Sequence, residues 1–277
     1  MFFKSIMILT VSLVSVGAFA NNFILQAPPG NVALLHDGNV LDKDDIAAFP
    51  MAAAMMKYAG YQNKVKHLKH SNNVCANSDR QLASMQESAD GIVNVLGYDA
   101  QIVFDYYMQP QAAQDNLVHL INESSTTQPL YILGAGPMES LWRALNAAKS
   151  EQRQFVYAVS HSPFNEKYKA CDGAHNWFDA RQDFESDGVT FIEIRGQNRV
   201  PLYSSYDNWI WLENAVNPEL QWLYSRPETR NKFDVSDAGM SMYYISGALQ
   251  GGCERCGNNE MQTFFPIKTS EPVTGPV

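Results

Sequence analysis

Val32-Ala33-Leu34-Leu35-His36-Asp37-Gly38-Asn39-Val40-Leu41-Asp42-Lys43-Asp44-Asp45-Ile46-Ala47-Ala48 is the stretch on which the reading of this chain turns. Its first four residues form a continuous apolar run, the pattern of a strand buried on both faces. Four carboxylates then fall within nine residues, from Asp37 to Asp45. An Ala- and Met-rich helical segment follows. A parallel sheet builds its ligand sites in the loops at the carboxyl ends of its strands. This loop therefore stands where a site belongs.

Outward from that stretch, short β-type runs alternate with amphipathic segments. Strands are expected at Lys64–Leu68, Gln101–Phe104, Leu130–Leu133, Phe155–Val159 and Val189–Ile194. Helices are expected at Ser78–Leu96, Gln111–Ile121, from Pro137 to about Ala148, at Trp209–Ala215 and at Ala238–Leu249. The alternation implies parallel βαβ units in one layered α/β domain. The boundaries read as 1–20 for an export signal, 21–265 for the domain and 266–277 for a flexible tail. His67 and His70 lie among Lys64, Lys66 and Lys69, which reads as a basic strand edge.

The opening residues carry Lys4, an apolar run from Ile6 to Val16 and Ala18-Phe19-Ala20, the pattern of a cleavable signal peptide. The run is short for a membrane span, which needs about 20 residues. The expectation is a periplasmic or secreted protein with no stable membrane insertion after cleavage. A net charge of −9 offers no basic stripe for nucleic acid. Cys75, Cys171, Cys253 and Cys256 suit an oxidising compartment. A short-range Cys253–Cys256 disulfide comes first, with Cys75–Cys171 as a second, ahead of metal binding by thiols.

Clustered carboxylates repel one another, so a cation or protons must compensate them. Outside the cytoplasm Ca²⁺ fits, because it takes several carboxylate and carbonyl oxygens in flexible geometry. Helix capping is the competing explanation. Asp42 suits an N-cap, and Asp44 and Asp45 suit the first helical turn. Asp37 and Asn39 are not explained that way. A second polar segment, Ser160 to Lys167, follows the Phe155–Val159 strand, and His175-Asn176-Trp177-Phe178-Asp179 follows it. Asn165, Glu166 and Trp177 there suit a sugar, with polar groups for hydroxyls and an aromatic face for the apolar side of the ring.

The acidic loop resembles that of nucleoside hydrolases, which carry D-x-D-P-G-x-D-D after their first strand. It also approaches the D-x-x-x-D-P-D-D of secreted carbohydrate proteins related to them. The loop is one residue longer than either pattern. The resemblance implies a Rossmann-like layered, mostly parallel sheet with helices on both faces. It implies Asp37 and Asp45 as metal ligands and Asp44 as a contact to a sugar hydroxyl. Asn39 stands where the family places its water-activating Asp, which passes the role of base to Asp42. Leu133-Gly134-Ala135-Gly136-Pro137-Met138-Glu139 resembles the family's G-P-L-T-N loop and makes Glu139 a metal ligand through its carbonyl or carboxylate. Asp234-Val235-Ser236-Asp237 resembles a late loop whose Asp closes the metal site, so Asp237 joins the set. Ser236 replaces the family's His. His161 is the candidate to replace it as general acid.

The function these readings imply is hydrolysis of a glycosidic bond, N-ribosidic bonds among the candidates, with Ca²⁺ holding vicinal hydroxyls and a water. The ligand is a small sugar or nucleoside, and a homo-oligomer is possible for the family. Two alternatives stand beside it: a sugar- or nucleoside-binding protein that does not cut, and a metal-dependent esterase or phosphatase.

Overall fold

A computed structural model describes residues 27–39, 42–72, 78–169, 175–199, 201–247 and 265. The signal segment, all four cysteines and the tail after 265 lie outside these residues.

The chain runs β1 (Asn31–Leu35), α1 (Asp45–Tyr58), β2 (Val65–His70), α2 (Asp79–Asn94), β3 (Val103–Asp105), α3 (Pro110–Asn122), β4 (Leu130–Gly134), α4 (Glu139–Ala147) and α5 (Ser150–Arg153). It continues with β5 (Val156–Ser160), α6 (Pro163–Lys167), α7 (Trp177–Phe184), β6 (Thr190–Glu193), β7 (Tyr203–Ser204), α8 (Ile210–Glu213), α9 (Pro218–Tyr224), β8 (Phe233–Asp234) and α10 (Gly239–Ser246). Six strands form one sheet in the order β3-β2-β1-β4-β5-β6, and every pairing in it is parallel. β7 and β8 form a small antiparallel ribbon.

β1 from Val32 to Leu35 and β4 from Leu130 to Leu133 are apolar because helices cover both faces of the sheet. Val32 and Leu34 face the core shared with α1, α2 and α10. Ala33 and Leu35 face the core shared with α3, α4 and α7. α1 is buried from Asp45 to Met56, so it lies inside the protein rather than on it. Pro50 interrupts α1. A proline withholds the N–H that would reach the carbonyl four residues back. That carbonyl, of Ile46, instead accepts a hydrogen bond from Ser88 Oγ at 2.6 Å.

Three expectations need correction. β2 is an interior strand, not an edge: Lys69 is fully buried, donates to Ser140 Oγ and lies over the Tyr106 ring. The helix expected at Trp209–Ala215 is a 3₁₀ turn, Tyr206–Trp209, running into the short α8. The last helix stops at Ser246 because Gly247 takes a left-handed φ of 70°. Among the described residues no helix is long and apolar enough to cross a membrane.

Candidate active site

The strand order reverses between β1 and β4, and the loops leaving such neighbours diverge to opposite faces and open a crevice. The loop after β1 carries the acidic stretch, and the loop after β4 carries Gly136 and Pro137. The two meet closely. Gly136 has φ 80°, and a Cβ there would lie 2.5 Å from Asp37 Cγ and under 3 Å from both its carboxylate oxygens. Only glycine lets this backbone lie against the carboxylate. The Gly136 N–H donates to Asn165 Oδ1 at 3.0 Å, and Asn165 Nδ2 donates to Asp237 Oδ1 at 2.9 Å. One amide thus ties the β4 loop to the segment ahead of α10.

Carboxylate oxygens of Asp37, Asp42 and Asp45 lie within 4.8 Å of one another, and so do those of Asp44, Asp45 and Asp237. Asp45 belongs to both groups. All but the half-buried Asp42 are buried. Capping does not explain the acids. The residue flanking α1 is Asp44, its side chain makes no capping bond, and its backbone carbonyl closes the turn. Two buried oxygens, Asp44 Oδ1 and Asp45 Oδ2, have no hydrogen-bond partner.

Burial, then repulsion and a shared hydrogen bond with Asp45, pushes Asp37 far above the usual carboxylate range. Burial and neighbouring acids push Asp44 and Asp45 the same way. Asp42 rises too, chiefly through burial. Asp37 with Asp45, and Asp42 with Asp44, therefore share protons unless another positive charge is present. Asp237 behaves oppositely. Burial alone would raise it, but the charge and hydrogen bond of His161 hold it below the ordinary value. Burial lowers His36 to about 4. His36 Nδ1 is hydrogen-bonded to Asp45. An all-oxygen, buried, under-satisfied donor set of this kind suits a hard divalent cation.

Above the cluster opens a cavity of about 540 Å³, within the range of small-molecule sites. Asp42, Asp44, Asp237, His161 and Asn165 line it, together with Asp234 and Phe164. Asp234 accepts from the Ser236 N–H, and burial raises its carboxyl to about 6. Phe164 is exposed and stacks on Tyr168 at 5.0 Å.

Seven of the residues expected at a site are gathered here: Asp37, Asp42, Asp44, Asp45, Asp237, His161 and Asn165. His161, from the segment after β5, pairs with Asp237. Its Nε2 lies 2.5 Å from Asp237 Oδ1, and its Nδ1 accepts the Gln197 N–H at 3.2 Å. Both ring nitrogens thus serve the protein, and the ring positions Asp237. Four expected residues lie elsewhere. The Glu139 carboxylate is held by Arg143 at 2.7 Å, one turn along α4, and by His175 Nδ1 at 2.8 Å, so it is not part of the cluster. Trp177 is fully buried against Phe191 with Nε1 on Glu193, leaving no ring face for a sugar. Glu166 does not line the cavity. Asn39 is buried and does not line the cavity, its carbonyl accepting the Ser78 N–H at the start of α2. Sequence reasoning passed over Asp234 and His36, although each stands within three residues of an acid it singled out.

No family model matches the chain. An uncharacterized protein of Formosa agariphila, P22, is 27% identical over 261 residues, covering 87% of this chain and 93% of its own. Among solved structures, a plant nucleoside hydrolase is similar at TM-score 0.45 and 12% identity, covering 79% of this chain and 80% of its own. The type III effector protein XopQ, complexed with adenosine diphosphate ribose, is similar at TM-score 0.40 and 12% identity, covering 85% and 75%.

Proposed function

We propose that this chain is an exported hydrolase of glycosidic bonds whose carboxylate cluster holds a divalent cation, with calcium the fitting ion. The observation that carries this reading is the set of buried aspartates, two with orphaned oxygens, at the floor of a sugar-sized cavity. Such a cluster lowers the stability of a fold, so a ligand is the physical reason to keep it.

Asp37, Asp44, Asp45 and Asp237 would hold the ion. When bound, it supplies the positive charge that keeps these carboxylates ionised and a Lewis-acidic centre for sugar hydroxyls and water. Asp42, half-buried at the cavity wall, takes the proton of the attacking water. The surrounding carboxylates stabilise positive charge developing on the sugar ring. Asp234 lines the same cavity with its carboxyl raised to about 6, which suits it to hand a proton to the leaving group. His161 and Asn165 hold Asp237 in place by two hydrogen bonds to one oxygen.

The test is release of free base or reducing sugar from a panel of nucleosides and glycosides, with and without calcium, for the mature protein and its Asp45→Ala variant. Calcium-dependent release, lost with calcium uptake in the variant, is expected. Calcium uptake unchanged by Asp45→Ala removes the proposed site. The commitment of both His161 nitrogens within the protein favours a second reading, a sugar-binding protein that does not cut. Calcium and ligand binding without any release selects it.

A further inference from the structure

Carboxylates make only part of the cavity wall. Lys43, Arg80 and Arg230 line it as well. They come from three separate stretches: the loop ahead of α1, the first turn of α2 and the loop ahead of β8. The chain has 20 Lys and Arg against 29 Asp and Glu, so convergence of three cations on one cavity calls for a cause.

Folding does not supply it. A cation in the first turn of a helix opposes the macrodipole, which favours acids there, so Arg80 does not serve α2. Its side chain is 81% exposed and has little packing to contribute. Ion pairing is weak as well. The Arg80–Glu228 contact is 3.5 Å, well beyond the roughly 2.7–2.9 Å of a good charge-assisted bond. Glu228 is also engaged by Ser84 Oγ. Among the described residues neither Lys43 nor Arg230 has a carboxylate partner. Acids line the same cavity, but Asp42, Asp44 and Asp237 belong to the buried cluster of the floor, and Glu228 is held by Ser84 Oγ.

We infer that the substrate carries a phosphate or comparable anionic group, bound by Arg80 and Arg230 with Lys43 beside them. This rests on the glycoside reading of the same cavity and narrows it to phosphorylated sugars or glycosides. Two guanidinium groups from different segments present forked donors that match tetrahedral anion oxygens. Because they are exposed, salt screens their attraction, and affinity for the anionic ligand falls as ionic strength rises.

The experiment is calorimetric titration of the mature, calcium-loaded protein with ribose 5-phosphate, ribose and inorganic phosphate. Ribose 5-phosphate is expected to bind roughly 10- to 100-fold more tightly than ribose, the range charge-assisted hydrogen bonds give. That advantage is expected to vanish in Arg80→Ala/Arg230→Ala. The variant's unchanged thermal melt shows that it folds. Equal affinity for the two sugars, an advantage that survives in the double variant, or inorganic phosphate binding as tightly as the sugar phosphate overturns the inference. The two readings fail separately. An arginine-dependent phosphate preference with no glycoside cleaved sinks the hydrolase and leaves this inference standing. Calcium-dependent cleavage with no phosphate preference does the reverse.

Discussion

Replacing Gly136 by alanine tests the site through one methyl group. Two effects add. The first is backbone strain: φ is 80°, and a left-handed conformation costs an L-residue about 1–2 kcal/mol. The second is overlap. The new Cβ would stand 2.5 Å from Asp37 Cγ, with both carboxylate oxygens under 3 Å away. Asp37 is fully buried and cannot swing into solvent, so the overlap adds about 1–3 kcal/mol, as overpacking does elsewhere. Gly97→Ala isolates the first effect. Its φ is 75°, and nothing lies within 4 Å of the position a Cβ would take. Gly97→Ala should therefore destabilise by about 1–2 kcal/mol and Gly136→Ala by about 2–5 kcal/mol. For a domain of this size that is a drop of roughly 2–8 °C and 4–20 °C in melting temperature. Calcium titration separates them further. Moving a carboxylate of the cluster should weaken calcium about 10- to 100-fold in Gly136→Ala, as loss of a supporting contact does at metal sites, and leave Gly97→Ala unchanged. Equal destabilisation of the two variants with equal calcium affinity would refute the idea that Gly136 exists to admit Asp37.

Three further outcomes are expected. In chelator, the stability contributed by the raised carboxylates should fall as pH rises, while His36, held at about 4, contributes in the opposite sense below neutrality. Burial holds Asp37, Asp44 and Asp45 above their unfolded values and Asp234 at about 6, so the folded state keeps protons that the unfolded chain releases. Their contribution is fully present below about pH 4 and is lost through pH 6 and above; a parent-minus-Asp234→Asn difference in urea midpoint that is larger at pH 8 than at pH 5 without calcium contradicts this. Asp234→Asn should lower kcat about 100-fold on glycosides with poor leaving groups and spare those with good ones, the mark of a lost general acid; equal loss on both classes assigns Asp234 a structural part. Ser88→Ala should cost about 1–3 kcal/mol, because the buried Ile46 carbonyl opposite Pro50 loses its donor. A denaturation midpoint indistinguishable from the parent protein shows that another group satisfies that carbonyl.

How much of this was legible beforehand follows from the range of the forces involved. β1 and β4 are legible because burial on both faces leaves an apolar run, Val32–Leu35 and Leu130–Leu133. β2 is not. Its lysines and histidines read as an edge, and only the tertiary structure supplies Ser140, Tyr106 and Asn116 as partners that let Lys69 and His67 be buried. The acidic loop is legible through density alone, since four aspartates after a strand invite a cation. The Glu139 carboxylate and the Trp177 ring lie away from the cavity for a shared reason. Each is the right residue type near the right loop, but position on a helix decides direction, and α4 and α7 turn them toward Arg143 and Glu193 instead of the cavity.

The His161–Asp237 pair shows what local reading misses and why the site is built as it is. The two residues are 76 positions apart, so no motif records their contact. The segment after β5 supplies His161 and Asn165, the β4 loop supplies Gly136, the loop after β1 supplies Asp37, and the turn ahead of α10 supplies Asp237. A cluster drawn from so many segments cannot be held by any one of them. Its acids repel, and two have buried oxygens with no donor. What keeps it assembled is a chain of hydrogen bonds around its rim: Gly136 to Asn165, Asn165 and His161 to Asp237, and one between His36 and Asp45. These bonds satisfy the outer oxygens and leave the inner ones facing one another. That division, with bonds on the outside and unmatched charge within, is the arrangement a cation completes, and it is why the carboxylates resist explanation as helix caps or surface acids.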